Sequence, residues 1–203
     1  MKQKFKGKTL YTKTVVRRIM EVYDKATDKK DWYQEANDFA FTLSYKIWDK
    51  NPATRRKAHA KVCGVIAAFS PLKSWNENMV IANLFIKTGQ IKHTKTMGNK
   101  AKDILISDGE VDTISEILNG NKITSFFLNI LNPSDSQAVT IDRHAISIAI
   151  GYSITDNFQM TGKQYEFFSN CYRIASQKAG ILPLQMQAIT WTKWREMKKE
   201  KLI

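Results

Sequence analysis

The chain has 203 residues, 43% of them apolar and including 10 Phe, 7 Tyr and 5 Trp, which suits one helical domain or two small lobes and excludes disordered and fibrous classes. No apolar run approaches the roughly 20 residues of a membrane span, and Met1 to Lys8 is basic without the apolar stretch of a secretory leader, so a cytoplasmic protein is expected. The 32 Lys and Arg exceed the 19 Asp and Glu by 13, a balance that attracts phosphate backbones or anionic membranes, although a solvated lysine-rich surface gives the same total.

In chain order the pattern is helical, with period-two alternation nearly absent. Val15, Ile19, Val22 and Tyr23 form one apolar stripe. Trp32, Ala36, Phe39, Leu43 and Ile47 form a second, opened by Asp31 as N-cap. Asn51-Pro52 starts a helix that runs through Phe69 and that Pro71 ends; its second half, Val62 to Phe69, is apolar all round and predicts a central buried helix. Ser74 and Glu77 make a capping box for a helix that Gly89 closes. Short helices follow over Asn99–Ile106 and from a Thr113/Glu116 cap. Lys122–Leu131 is amphipathic and stops at Asn132-Pro133. A polar loop, Ser134–Gln137, leads through Ala138–Ile141 into an apolar helix ending at Gly151. Two helices close the chain, about Lys163–Ala179 and Pro183–Lys199. The expected fold class is all-α, with neither repeats nor an interdomain linker.

Cys63 and Cys171 sit inside apolar helical patterns and read as buried free thiols. Two cysteines cannot supply a four-thiolate cluster, and His59, His93 and His144 lack ligand spacing, so no metal or other cofactor is expected. Arg55, Arg56, Lys57, His59 and Lys61 read as an exposed basic helix face and a candidate phosphate-contact surface. Taken alone, Asp142 is a helix N-cap, Lys122 a surface lysine, and Trp191, Trp194 and Arg195 a core-plus-rim pattern.

Four segments taken together carry more. They are G-V-I-A-A-F-S-P-L-K-S-W at Gly64 to Trp75, G-N-K-A-K-D-I-L at Gly98 to Leu105, N-G-N-K at Asn119 to Lys122, and T-I-D-R-H-A at Thr140 to Ala145. In order and spacing this resembles the helix-hairpin-helix DNA glycosylase superfamily, whose members include endonuclease III and the adenine and alkylated-base glycosylases. The resemblance covers residues 58–151, and the wording through Gln187–Arg195 is similar to compact bacteriophage members. It implies about eight to ten helices in two lobes around a cleft, with helices of residues 1–57 and 152–203 beside the 58–151 core.

By this resemblance Asp142 matches the aspartate that stabilises positive charge on the sugar or activates the attacking nucleophile. Lys122 matches the lysine that forms a Schiff base in bifunctional members. DNA contacts are implied at Leu72, Lys73, Ser74, Asn119, Gly120, Asn121, Arg143 and His144, besides the basic face at Arg55 and Arg56. The family hairpin L-P-G-x-G-x-K-T-A reads I-L-N-G-N-K-I-T-S here, one glycine short. Leu72 replaces the Gln of the Ser-x-Gln turn and can act as an apolar wedge. The cysteine cluster of endonuclease III is missing.

Three functions stay open. The first is a monomeric base-excising enzyme on duplex DNA with a flipped base, with or without abasic-site lyase activity. The second is a transferase that adds an amino acid or polyamine to an activated hydroxymethyl-pyrimidine in phage DNA. The third is a non-catalytic DNA-binding relative.

Overall fold

A computed structural model describes residues 1–28, 31–134, 137–154 and 159–200. It is mostly helical, as the pattern predicts, and divides into two compact units. One comprises Met1–Tyr33 with Ser134–Ile203, the other Gln34–Pro133. Residues of the 58–151 segment therefore contribute to both.

The first unit opens with strands β1 (Lys2–Phe5) and β2 (Lys8–Tyr11), paired antiparallel with Phe5 opposite Lys8. This short hairpin, the sheet of the described residues, was not among the predicted elements. Each strand is only four residues long and points one large apolar side chain inward, Phe5 and Leu10. The turn between them, Lys6-Gly7, has both residues at positive φ (46° and 75°), as a twist-matched two-residue hairpin requires. Helix α1 (Thr12–Asp24) buries Val15, Val16, Ile19, Val22 and Tyr23. It packs on α8 (Arg143–Ile150), α9 (Gly162–Ala179) and α10 (Pro183–Lys199). Phe5 joins the same core edge-on to Phe168 at 5.3 Å.

The second unit is built around α3 (Arg55–Phe69), which follows a 3-10 turn at Pro52–Thr54. Asn51 caps that turn by accepting from the Ala53 amide, at the Asn-Pro start the sequence predicts. Every residue from Val62 to Phe69 is buried. Around α3 pack α4 (Trp75–Thr88), α5 (Lys95–Ile106), α6 (Val111–Leu118) and α7 (Asn121–Leu131). The Ser74/Glu77 capping box and the left-handed Gly89 bound α4 as expected.

Three local expectations shift. Helix α2 (Trp32–Ser44) buries Tyr33, Ala36, Ala40 and Leu43, so its inner face is rotated from the predicted stripe, and Ile47 lies beyond its end. The bulky Trp32 and Phe39 are half-buried at the edge of that face. Helix α5 starts four residues before Asn99, because the Thr94 hydroxyl caps it by accepting from the Met97 amide. Helix α6 is preceded by Glu110 as N-cap residue; Thr113 lies inside it and donates to Asp108 instead. Of the predicted Ser134–Gln137 loop, residues 135 and 136 lie outside the described residues.

Close approach to α3 is set by Gly64. A Cβ there would meet Ile114 Cγ2 at 2.7 Å and Ile104 Cγ2 at 3.2 Å, and both isoleucines are fully buried. Alanine would add about 1 kcal/mol of helix propensity, but overpacking a rigid core costs about 1–3 kcal/mol. The net cost is up to about 2 kcal/mol, so Gly64→Ala should lower the thermal midpoint by up to about 8 °C. A midpoint at or above the parent's would contradict this packing.

Candidate active site

The stretch from Val139 to Ile141 is buried, yet belongs to no helix or strand. Buried backbone groups need partners, and the Tyr165 hydroxyl supplies two of them. Tyr165 Oη accepts from the Ile141 amide (3.2 Å) and donates to the Val139 carbonyl (2.8 Å). Tyr33 Oη donates to Gln187 Oε1 at 2.9 Å and lies 3.1 Å from the Thr140 hydroxyl. One turn into α8, Tyr172 Oη donates to the Ala145 carbonyl at 3.0 Å, and burial pushes this phenol's pKa up.

This scaffold delivers Asp142 to the start of α8. Its backbone is extended, and its Oδ1 accepts from the Ala145 amide at 2.7 Å. The N-cap reading is therefore met. Oδ2 has no hydrogen-bond partner among the described residues. Arg143 is exposed and His144 half-buried. Burial is the main cause that lowers the His144 pKa, aided by Lys198, Arg143 and Arg195 and opposed by Asp142. The imidazole is thus neutral at neutral pH.

His144 stands edge-on to Trp191 with centroids 6.3 Å apart, and Trp191 is 6.3 Å from Trp32. The Arg195 guanidinium lies 4.6 Å over the Trp191 ring. Trp194 is buried, so the core-plus-rim pattern holds with Trp191 and Arg195 on the rim. Sequence reasoning missed the roles of Tyr33, Tyr165 and Gln187 and the pairing of Trp32 with Trp191, whose partners lie 24 to 159 residues away in the chain. No local signal marks such pairs.

The other candidates lie in the second unit. Helices α6 and α7 are joined by Asn119 and Gly120 alone. Asn119 is left-handed (φ 44°), a conformation Asn tolerates, and ends α6 as its C-cap. The Lys100 ammonium donates to the Leu118 carbonyl and caps α6. Gly120 brings no capping side chain to α7, whose first-turn amides have no intrahelical acceptor. Asn121 and Lys122 are exposed there.

Leu72 is 97% exposed at φ 61°, in the turn between α3 and α4. Left-handed backbone is unfavourable by about 1–2 kcal/mol for such a residue. The turn is braced by His93. Its Nδ1 accepts from the Thr94 amide (2.8 Å), which leaves Nε2 to donate to the Pro71 carbonyl (3.0 Å), and its ring stacks on Phe69. Lys73 and Ser74 flank Leu72, with Lys73 3.8 Å from Glu77 and Ser74 in the capping box.

The expected basic face at Arg55–Lys61 is mostly committed internally. The Arg55 guanidinium sits 3.6, 4.1 and 4.8 Å from the ring centroids of Tyr45, Phe41 and Trp48, and Nη1 donates to Ser44 Oγ. Lys57 pairs with Glu110 at 2.8 Å, and Lys61 donates to the Leu105 carbonyl. His59 is half-buried, with its pKa lowered by burial first. Arg56 is exposed and has no ion-pair partner among the described residues.

Cys63 and Cys171 are both free and buried; burial pushes the Cys63 thiol up, and Cys171 to about 12. Among the described residues no three His, Cys, Asp or Glu side chains cluster as a metal site, and no helix is long and apolar enough to cross a membrane.

A family model described as a family of unknown function, DUF7178, matches residues 1–198. The chain belongs to this family. No curated protein and no solved structure matches it. The DUF7178 match includes both units and every candidate residue above, so the family's shared function is to be sought among these sites.

The tyrosine scaffold gives a direct test. Tyr165→Phe removes one hydroxyl and strands two buried backbone groups, at about 1–3 kcal/mol each. Calorimetry should show the midpoint falling by at least about 4 °C. An unchanged midpoint would mean that the Val139–Ile141 backbone does not depend on it.

Proposed function

We propose that the protein binds duplex DNA and excises a flipped base, with Asp142 as the carboxylate beside the sugar. The observation that carries this reading is the division of labour on Asp142: Oδ1 is spent on the α8 cap and Oδ2 is left without a partner. A fixed carboxylate of that kind stabilises the oxocarbenium-like sugar as the base departs more than it stabilises the ground state. The bond from C1′ to the base nitrogen breaks, its electron pair leaves with the base, and water adds to C1′. The half-buried Trp191 with Arg195 at its face offers a stacking surface in the same unit.

Two features of the second unit support DNA as ligand. The two-residue link between α6 and α7 is as short as a helix-hairpin-helix element needs, and the start of α7 would face a phosphate there. Leu72 exposes nearly its whole apolar side chain on a strained, braced turn, as an intercalating wedge would. Holding such a residue out of water-shielded packing serves folding poorly and a base step well.

Asp142→Asn separates cap from catalyst, because Asn caps helices about as well as Asp. The midpoint should stay near the parent's while the single-turnover rate of base release falls on the order of a hundredfold or more. Equal rates would leave Asp142 as a cap and nothing more.

Lys122 is exposed at the hairpin and is assigned to phosphate contact, which makes the excision hydrolytic. Borohydride should then trap no covalent adduct on abasic-site DNA. An adduct that forms with the parent and disappears in Lys122→Ala would restore the Schiff-base route.

A further inference from the structure

The positive charge is distributed unevenly along the chain. Residues 1–20 contain seven Lys and Arg and no acidic residue. Five of these, Lys2, Lys4, Lys6, Lys8 and Lys13, lie on the β-hairpin or the first turn after it. Lys2, Lys4 and Lys13 are exposed with no ion-pair partner among the described residues, whereas lysines 57, 73 and 193 each face a glutamate.

The pleat sorts this ribbon into two faces. Phe5 and Leu10 point into the core, and Lys2, Lys4, Thr9 and Tyr11 point out. The ribbon is also fixed in place. The Thr12 amide and hydroxyl both donate to the Met1 carbonyl, Gln164 Nε2 donates to the Lys4 carbonyl, and Phe5 packs on Phe168. The Lys8 ammonium sits 5.2 Å over the Tyr152 ring, just past the end of α8, and Arg18 lies against Gly151 there. Asp142 is at the other end of the same helix, whose eight residues span about 12 Å.

We propose that the outer face of this hairpin docks on a DNA phosphate backbone, beside the end of α8 opposite Asp142. The identity of the polyanion rests on the DNA reading above. The charge favours any polyanion, but the sidedness selects nucleic acid over a lipid surface. A membrane-surface element directs an apolar face outward, and here Phe5 and Leu10 are consumed by the core, so that Tyr11 is the one large ring the strands expose beside the lysines. An outward lysine row with Tyr11 beside it suits phosphates flanked by stackable bases.

The test compares Lys2→Glu/Lys4→Glu with Lys102→Glu/Lys178→Glu, which makes the same charge change elsewhere; Lys178 is about 21 Å along α9 from Gln164. Affinity for a short fluorescein-labelled duplex is measured by anisotropy over a salt series. The hairpin variant should bind at least tenfold more weakly at low salt, with a salt slope shallower by about 2, while the control keeps the parent's slope. An unchanged slope in the hairpin variant, or equal changes in both variants, would overturn the proposal. So would tighter parent binding to phosphatidylserine–phosphatidylcholine vesicles than to the duplex, lost in the hairpin variant. Base release at DNA-saturating protein is read in parallel. Slope loss without release in the parent retires excision and keeps the docking face; release with an unchanged slope does the reverse.

Discussion

Buried backbone outside regular structure is the constraint on which the first unit turns. Val139, Thr140 and Ile141 run through the interior, where an unpaired amide or carbonyl costs about 1–3 kcal/mol. Hydroxyls from Tyr33 and Tyr165, on helices remote in the chain, hold this stretch in one conformation. The strand-like approach then ends at an extended Asp142, and the α8 helix begins with its carboxylate already oriented. The orientation of Asp142 depends on support from behind, and the support here is a set of phenols rather than a sheet.

The second constraint is electrostatic. A net charge of +13 suggests a uniformly basic surface, but much of the positive charge is spoken for. Arg55 is enclosed by three aromatic rings, Lys57 faces Glu110, Lys61 and Lys100 cap helix ends, and Arg173 pairs with Glu166. What remains for a partner is concentrated where acidic residues are missing, above all in the first twenty residues. Counting charge along the sequence locates this better than the Arg55–Lys61 cluster does, because Arg55 turns inward and Lys57 and Lys61 are partnered, which leaves only Arg56.

How much of this was legible follows from the range of each interaction. Caps are local, so Asn51-Pro52, Ser74/Glu77, Gly89, Gly151 and Pro183 bound their helices where sequence rules put them. The same rules missed the Thr94 cap, since the Lys95–Gly98 turn it opens is polar and lacks an apolar stripe. They missed the β-hairpin because one inward residue per strand is too short a pattern to register as alternation. The tyrosine scaffold is invisible to any local rule: Tyr33 and Gln187 meet across 154 residues. Asp142 as a cap was legible from its position, and the catalytic role proposed for it rests on the resemblance to DNA glycosylases together with the unpartnered Oδ2.

The central claim is that the protein removes a base from DNA rather than adding to it or merely holding it. Mass spectrometry of nucleosides and free bases, taken before and after exposure of duplex DNA to the protein and including hydroxymethyl-pyrimidine DNA, addresses this directly. The account predicts a free base in solution, an equal loss of one nucleoside, and no new heavier nucleoside. A heavier nucleoside with no free base, or DNA unchanged in composition despite binding, would contradict it.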